Sequence, residues 1–106
     1  NKVEDYGIGF YTKYGDGGVD IAPIADLYKT EVRELGWHLG VMDEIIDAPP
    51  TDGLWDDGRS DEDQIGATYA QLEEAMENGT GDAVDILSRF NRQNRHKMEP
   101  IPTFKL

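Results

Sequence analysis

The chain has 106 residues, of which 38% are apolar and 30% are charged, and its formal net charge at pH 7 is −12. The absence of cysteine excludes disulfides and thiolate metal sites and is typical of a reducing compartment. No apolar run approaches the ~20 residues of a membrane span, and the acidic balance opposes nonspecific nucleic-acid binding, which needs a basic face. These properties predict one small acidic domain with neither membrane nor nucleic-acid partners.

The first part of the chain predicts two helices separated by a loop. Residues 2–9 favour a short helix, although two glycines weaken it. Residues 13–22, called the glycine loop below, hold three glycines and so permit a tight turn. Pro23 suits the first position of a helix, and apolar residues then recur at helical spacing. We therefore expect a helix from this proline that buries one face and ends at Gly40.

A long irregular segment lies in the middle of the chain. Residues 42–47 predict a single helical turn, but residues 49–60 have no regular apolar period and contain two prolines and two glycines. Structureless loops of this length are uncommon in small domains, and those that occur are often functional or mobile. The segment is therefore a candidate for a role in ligand binding.

Capping patterns predict the helices that follow. Ser60 and Thr68 are each followed three residues later by a side chain that can complete a capping box. They predict a short helix and then a helix over residues 69–77. Asp82 is a candidate cap for a last helix over about residues 83–94, and the proline-containing tail beyond it is expected to be extended.

Several charged residues suggest a polar ligand rather than a packed core. Lys13 and Asp20 flank the glycines of the loop. Lys29 lies early in a predicted helix, where a lysine opposes the helix dipole unless an anionic ligand compensates. His96 and Lys97 offer two adjacent donors beyond the last predicted helix. The simpler interpretations are a surface turn, a snorkelling lysine and an exposed basic tail. The pattern alone does not decide between these surface roles and ligand binding.

A family resemblance adds to these patterns. In order along the chain stand Asn1-Lys2 with Glu4, Thr12-Lys13-Tyr14-Gly15-Asp16-Gly17-Gly18 with Asp20, Pro23 with Leu27 and Lys29, Pro50-Thr51, Ser60-Asp61-Glu62 with Gly66 and Tyr69, and His96-Lys97. With these segments the chain resembles the C-terminal half of ammonia-dependent NAD synthetase over essentially its whole length. The resemblance implies an α/β fold, of which this chain is an α-rich C-terminal portion of a Rossmann-like (adenine nucleotide alpha hydrolase-like) doubly wound domain.

The resemblance also implies a reaction in NAD biosynthesis. ATP adenylates the nicotinate carboxylate of deamido-NAD, and ammonia then displaces AMP to give NAD, with pyrophosphate released in the first step. The matching positions are Lys13, Asp20, His96 and Lys97 for deamido-NAD, Lys29 and Thr51 for ATP, and either Glu4 or Asp5 for magnesium. The choice between the two acids is open because the chain is one residue longer than many relatives between Lys2 and Gly9.

Further expectations follow from the same resemblance. Residues 1–106 form the C-terminal part of a single domain, in which residues 48–66 are a mobile loop that closes over the adenylate and excludes water. The whole enzyme is a cytoplasmic homodimer. The family's Ser-Gly-Gly-x-Asp-Ser pyrophosphate loop does not occur in these 106 residues. We therefore expect the chain alone to be inactive and to leave apolar surface exposed.

An alternative from a different class is an acidic helical interaction module without catalysis. Residues 43–77 carry twelve acids and one base, whereas residues 89–106 carry five bases and one acid. Such uneven charge is compatible with a solvated surface or with a protein partner. In that interpretation the longer helix presents a face to the partner and the glycine loop is a linker.

Overall fold

The computed structural model describes all 106 residues, and its regular structure consists of helices alone. A π-helical turn spans Val3–Ile8, and five α-helices follow: α1 (Lys29–His38), α2 (Asp43–Ile46), α3 (Asp61–Ile65), α4 (Tyr69–Asn78) and α5 (Val84–Met98). The sheet of an α/β domain is not found among these residues, so only the α-rich part of that prediction is confirmed. None of the helices has the length and apolar content that would let it cross a membrane.

The core forms where the π-helical turn packs against α4 and α5. Its eight buried residues are Val3, Ile8, Ile65, Ala67, Tyr69, Leu72, Ala75 and Ala83. The π-helical turn ends at Gly9, whose φ of 66° is left-handed. A Cβ at this position would lie 2.5 Å from Cβ of Asn94 on α5, so glycine is also required for the close approach of the two helices.

Local capping determines α3 and α4 as predicted. The Ser60 hydroxyl accepts from the Asp63 backbone N–H at 3.1 Å, and the Thr68 hydroxyl accepts from the Gln71 backbone N–H at 3.1 Å. Both helices then end at glycines in the left-handed region. Because these bonds join residues three apart, the sequence was sufficient to predict both starts.

Helix α1, which was predicted to run from Pro23 to Gly40, differs from that prediction at its N-terminal end. It begins at Lys29 instead of Pro23, and Tyr28 before it has an extended backbone. The carbonyl of Leu27 accepts from the backbone N–H of Lys2 at 2.8 Å, so it is bound across the fold and does not start a helix. The predicted end is confirmed, because the helix stops just before Gly40, whose φ is 76°.

Two further predictions about helices are corrected. No residue of α1 is buried, so the predicted buried face is wrong for this chain. At the other end, α5 continues to Met98 instead of ending near residue 94, and Asp82 does not cap it. His96 and Lys97 therefore lie in the last helical turn rather than beyond it.

Candidate functional site

Four side chains meet where the π-helical turn faces the N-terminal ends of α1, α3 and α4. The hydroxyl of Tyr69, a residue that is 4% exposed, donates to Oε1 of Glu4 and lies 3.3 Å from Oδ2 of Asp61. The ammonium of Lys29 lies 5.6 Å from the centre of the Tyr69 ring. We call Glu4, Lys29, Asp61 and Tyr69 the carboxylate cluster.

Burial and negative charge shape the chemistry of this cluster. Burial, followed by the hydrogen bond to Glu4, raises the pKa of Tyr69, so its hydroxyl stays protonated and acts as a donor. Burial and the nearby Glu4 charge raise the pKa of Asp61. Oδ1 of Asp61 is buried without a hydrogen-bond partner. One phenol proton is thus shared between two carboxylates, and one carboxylate oxygen is left for another group.

The cluster is held in place by local structure on each side. Asp61 is the first residue of α3, directly after the Ser60 cap, and its backbone N–H donates to the Pro50 carbonyl at 2.9 Å. Tyr69 is the first residue of α4, and its backbone N–H donates to Oε2 of Glu62 at 2.7 Å. The two capped helix starts therefore fix Tyr69, which contacts Glu4, and Asp61, which contacts Tyr69.

A second group of side chains lies where the glycine loop meets the end of α5. Nζ of Lys13 is 3.2 Å from Nδ1 of His96, across 83 positions of sequence. The loop is closed at its base because Oδ1 of Asp16 accepts from the backbone N–H of Thr12 at 2.7 Å. Gly17 is required here, because a Cβ would lie 2.6 Å from the Tyr11 ring.

Lys97 contacts backbone atoms rather than the side chains of this group. Its ammonium donates to the carbonyls of Gly9 at 2.9 Å and Tyr11 at 2.8 Å. In return the Tyr11 hydroxyl donates to the carbonyl of Lys97 at 2.8 Å. Burial, together with the charges of Asp5 and Asp16, raises the pKa of Tyr11 and keeps this hydroxyl protonated.

The remaining predicted residues are not brought together with these groups. Asp20 is exposed in the glycine loop. The Thr51 hydroxyl donates to the Arg59 carbonyl at 3.2 Å and accepts from the Gly53 backbone N–H at 3.2 Å, within its own loop. Asp5 does not contact Tyr69 or Asp61 but lines a cleft with Tyr11 and Lys97, and its Oδ2 lies 3.4 Å from the N-terminal ammonium, which is also 3.4 Å from Oε2 of Glu4.

One cleft joins the glycine loop to the irregular middle segment. Its volume is about 210 Å³, and its lining combines side chains from both loops with two aromatic rings. The residues are Phe10, Tyr11, Thr12, Asp16, Asp52, Leu54, Gln64 and Lys97. This is the point at which the structure brings the two predicted ligand-binding loops close to each other.

The structure adds residues to which the sequence analysis assigned no role. Asp61 and Tyr69 were part of the resembling segments, but the contact of Tyr69 with Glu4 joins positions 65 apart and has no local signal. Asp61 joins the same cluster through its contact with Tyr69. Tyr11 carries no motif at all. The structure shows no group of three or more His, Cys, Asp or Glu side chains at metal-binding distances.

Comparison with known proteins supports the family resemblance. Residues 1–101 match a family model described as NAD synthase. The NH(3)-dependent NAD(+) synthetase of Methanococcoides burtonii is 53% identical over 70 residues, which are 66% of this chain and 26% of that protein. The enzyme of the same name from Alkaliphilus oremlandii is 41% identical over 108 residues, which cover 100% of this chain and 42% of that protein.

A solved structure shows the same arrangement of helices. The structure of NMN synthetase from Francisella tularensis matches with a TM-score of 0.91 and 34% sequence identity, over 100% of this chain and 44% of that one. The chain therefore spans less than half the length of the proteins it matches. Because the family model covers nearly every residue, the chain belongs to the NAD synthase family.

Proposed function

We propose that this chain supplies part of the substrate site of an ammonia-dependent NAD synthetase. In that reaction ATP adenylates the nicotinate carboxylate of deamido-NAD, and ammonia displaces AMP to form the amide of NAD. The observation that carries the proposal is the 3.2 Å contact between Lys13 and His96, because two residues expected to bind the same dinucleotide meet from opposite ends of the chain. The relatives named NH(3)-dependent NAD(+) synthetase support the reaction type.

The contact also gives the two side chains different roles. An ammonium group has only donors, so Nδ1 of His96 accepts when the two groups are hydrogen-bonded. Nε2 of the ring then faces the ligand. Lys13 contributes positive charge and His96 a polar ring nitrogen, a combination suited to an anionic dinucleotide with polar ribose groups. Asp20, exposed in the same loop, is proposed to accept from ligand hydroxyls.

Glu4 fits a magnesium ligand better than Asp5 does. Glu4 shares the carboxylate cluster with Lys29, the residue proposed to bind ATP, and the unpartnered Oδ1 of Asp61 lies in the same cluster. Asp5 lines a cleft with Tyr11 and Lys97 that includes neither Lys29 nor Asp61. Magnesium binds proteins through one or two carboxylates and substrate phosphates, and it would neutralise phosphate charge here. Glu4 and Asp61 are the residues that would hold it.

The π-helical turn supports the choice of Glu4 over Asp5 as the magnesium ligand. A π-helical turn closes its hydrogen bonds from residue i to i+5 and therefore accommodates one more residue than an α-helical turn. The extra residue between Lys2 and Gly9 is thus absorbed within Val3–Ile8. Glu4 keeps its place three residues after Asn1, as in the family segment.

The middle segment is proposed to close over the adenylate. Its ends are fixed, because the Asp61 backbone N–H bonds the Pro50 carbonyl and α3 is anchored through buried Ile65. Between them Leu54 is exposed, and half-exposed Trp55 contacts the Arg59 guanidinium at 4.1 Å from the ring and donates to Oε1 of Gln64 at 3.3 Å. Movement within residues 48–66 would therefore bring Thr51 and these apolar groups over bound ATP without unfolding α3.

The larger assembly is proposed from the same relatives. The helices are proposed to belong to a Rossmann-like α/β domain, as the family resemblance implies, and they match 44% of the NMN synthetase chain with a TM-score of 0.91. We propose that this enzyme is a cytoplasmic homodimer that uses ATP, ammonia and deamido-NAD. The 106 residues alone are proposed to be inactive, since Lys29 by itself cannot replace the backbone donors of a phosphate-binding loop.

Steady-state kinetics test the proposed site. In the complete enzyme, Lys13→Ala and Lys29→Ala should each lower kcat/KM at least about a hundredfold, because each removes a charged contact to substrate. Lys105→Ala, which changes an exposed lysine of the tail, is the matched control and should leave the kinetics unchanged. Near-normal kinetics for Lys13→Ala would refute the assignment.

Two further assays test the identity of the substrate and the completeness of the site. Nicotinate mononucleotide should be tested beside deamido-NAD, because one matching structure is named NMN synthetase. A preference for the mononucleotide would change the proposed substrate but not the ligase chemistry. The 106-residue chain should be given ATP, deamido-NAD, magnesium and ammonia, and NAD formation by it would defeat the proposal of an incomplete site.

A further inference from the structure

One face of α5 caps the end of the π-helical turn. Asn91, Asn94 and Lys97 are spaced three apart, so they follow one another along the helix. They donate in order to the carbonyls of Gly7 at 2.9 Å, Ile8 at 3.0 Å and Gly9 at 2.9 Å. The last carbonyls of a helical segment have no partner within it. The three α5 side chains, called the capping ladder below, supply those partners.

Lys97 extends the capping ladder to the glycine loop. Its ammonium also donates to the carbonyl of Tyr11, and the Tyr11 hydroxyl returns a bond to the carbonyl of Lys97. An ammonium has three donors, and two of them are used by these backbone carbonyls. Bonds from a charged donor are roughly twice as strong as neutral ones. The chain segment that enters the glycine loop is thus bound to α5 at both of its flanks.

His96 faces a different direction from its neighbour. Adjacent residues of an α-helix point about 100° apart, so two neighbouring side chains cannot share one set of contacts. His96 is exposed and meets Lys13, whereas Lys97 is half-buried against backbone. The family segment His96-Lys97 therefore has two environments in this structure.

We propose that Lys97 is a positioning residue, which holds the glycine loop so that Lys13 and His96 face the dinucleotide. The ligand half of this inference rests on the proposed function, whereas the structural half does not. If Lys97 is released, the loop loses its attachment at Gly9 and Tyr11. The hydrogen bonds that close the loop, from the Gly17 N–H to the Thr12 carbonyl at 2.9 Å and from the Gly18 N–H to the Gly15 carbonyl at 2.9 Å, should then open more often.

Amide hydrogen exchange of the protein tests the structural half without any ligand. Lys97→Met, which keeps the length of the side chain but removes its charge, should speed exchange at Gly17 and Gly18 about tenfold or more. Tyr11→Phe removes only the returning bond and should speed it about fivefold. Arg95→Gln, on the exposed face of the same helical turn, is the control and should change nothing.

Binding measurements distinguish this inference from the proposed function. By titration calorimetry, Tyr11→Phe should weaken deamido-NAD binding although it alters no charge, and Lys97→Arg should restore part of what Lys97→Met loses. Unchanged exchange in both Lys97→Met and Tyr11→Phe would overturn the positioning role, and because the tyrosine variant is mild it serves even if the lysine variant does not fold. Faster amide exchange in these variants, together with no deamido-NAD binding by the unmutated complete enzyme, would refute the proposed function and leave the positioning role standing.

Discussion

Helices α1 and α4 have the same length and lie side by side, yet they have opposite environments. Each has ten residues with apolar side chains at helical spacing. α4 buries Tyr69, Leu72 and Ala75, whereas α1 buries none of its residues. Between the two, the bonds are polar: the Tyr28 hydroxyl donates to Glu77 at 2.7 Å, and the Thr30 hydroxyl donates to Glu73.

The difference shows what apolar spacing does and does not determine. Spacing selects the side of a helix that will be buried, but a second apolar surface must be present to bury it. α4 finds that surface in the π-helical turn and α5, while the apolar side chains of α1, including Leu35 and Trp37, remain 42% and 61% exposed. A helix with good spacing and no buried residue therefore marks a surface that the chain alone covers only in part, here through Ile46 of α2 beside Gly36.

Truncating one leucine in each helix should give the largest difference between them. Leu72 of α4 is 0% exposed, so Leu72→Ala should lower the free energy of unfolding by about 2–5 kcal/mol through lost contacts and a cavity. Leu35→Ala in α1 removes a half-exposed side chain and should cost less than about 1 kcal/mol in the 106-residue chain. Urea denaturation of both variants measures the two values. Equal losses would show that α1 is packed as firmly as α4.

The same contrast explains which parts of the molecule the sequence could predict. The starts of α3 and α4 were predicted because their capping bonds join residues three apart. The predicted start of α1 at Pro23 was wrong because the Leu27 carbonyl accepts from the backbone N–H of Lys2, a contact that no local pattern encodes. Tertiary hydrogen bonds of this kind override helix propensity, which contributes less than about 1 kcal/mol per residue.

The candidate site likewise has residues that the sequence could name and contacts that only the fold shows. Lys13 and His96 were named from the family resemblance, and only the fold shows that they touch. The contact of Tyr69 with Glu4 joins positions 65 apart, so neither spacing nor composition could have assigned it. The binding role of Lys97 beside His96 stays a prediction, and the fold shows in addition that two of its three donors go to backbone carbonyls.

Removing one hydroxyl from each helix start should give a smaller difference in the same direction. Tyr69→Phe leaves buried Asp61 and half-buried Glu4 without their shared donor and should cost about 1–3 kcal/mol of stability. Tyr28→Phe removes a bond to exposed Glu77, which water can replace, and should cost no more than about 1 kcal/mol. Thermal unfolding at pH 7 compares them. A larger loss for the Tyr28 variant would contradict the ranking of the two helix starts.

The smallest expected effect is a pH dependence of stability. It arises because Tyr69 at the start of α4 contacts Asp61 of α3 and does not contact Asp63. Burial and the charge of Glu4 raise the pKa of Asp61, whereas hydrogen bonds from Ser60 lower the pKa of Asp63. A raised carboxyl pKa means that the folded state binds more protons than the unfolded state, so ionised Asp61 lowers stability at neutral pH. A lowered pKa has the opposite sign, so ionised Asp63 adds stability at neutral pH.

Neutral variants of these two carboxylates should therefore shift Tm in opposite directions at pH 7. Asp61→Asn should raise Tm, and its advantage should shrink as the pH falls toward 3.8, the ordinary pKa of the carboxyl, because the parent residue becomes protonated. Asp63→Asn should lower Tm at pH 7, and its deficit should disappear only below pH 3.8, where the folded parent takes up its proton. Measurements in EDTA exclude bound metal as the cause. Shifts of the same sign in both variants would mean that contact with Tyr69 and Glu4 does not set the environment of Asp61.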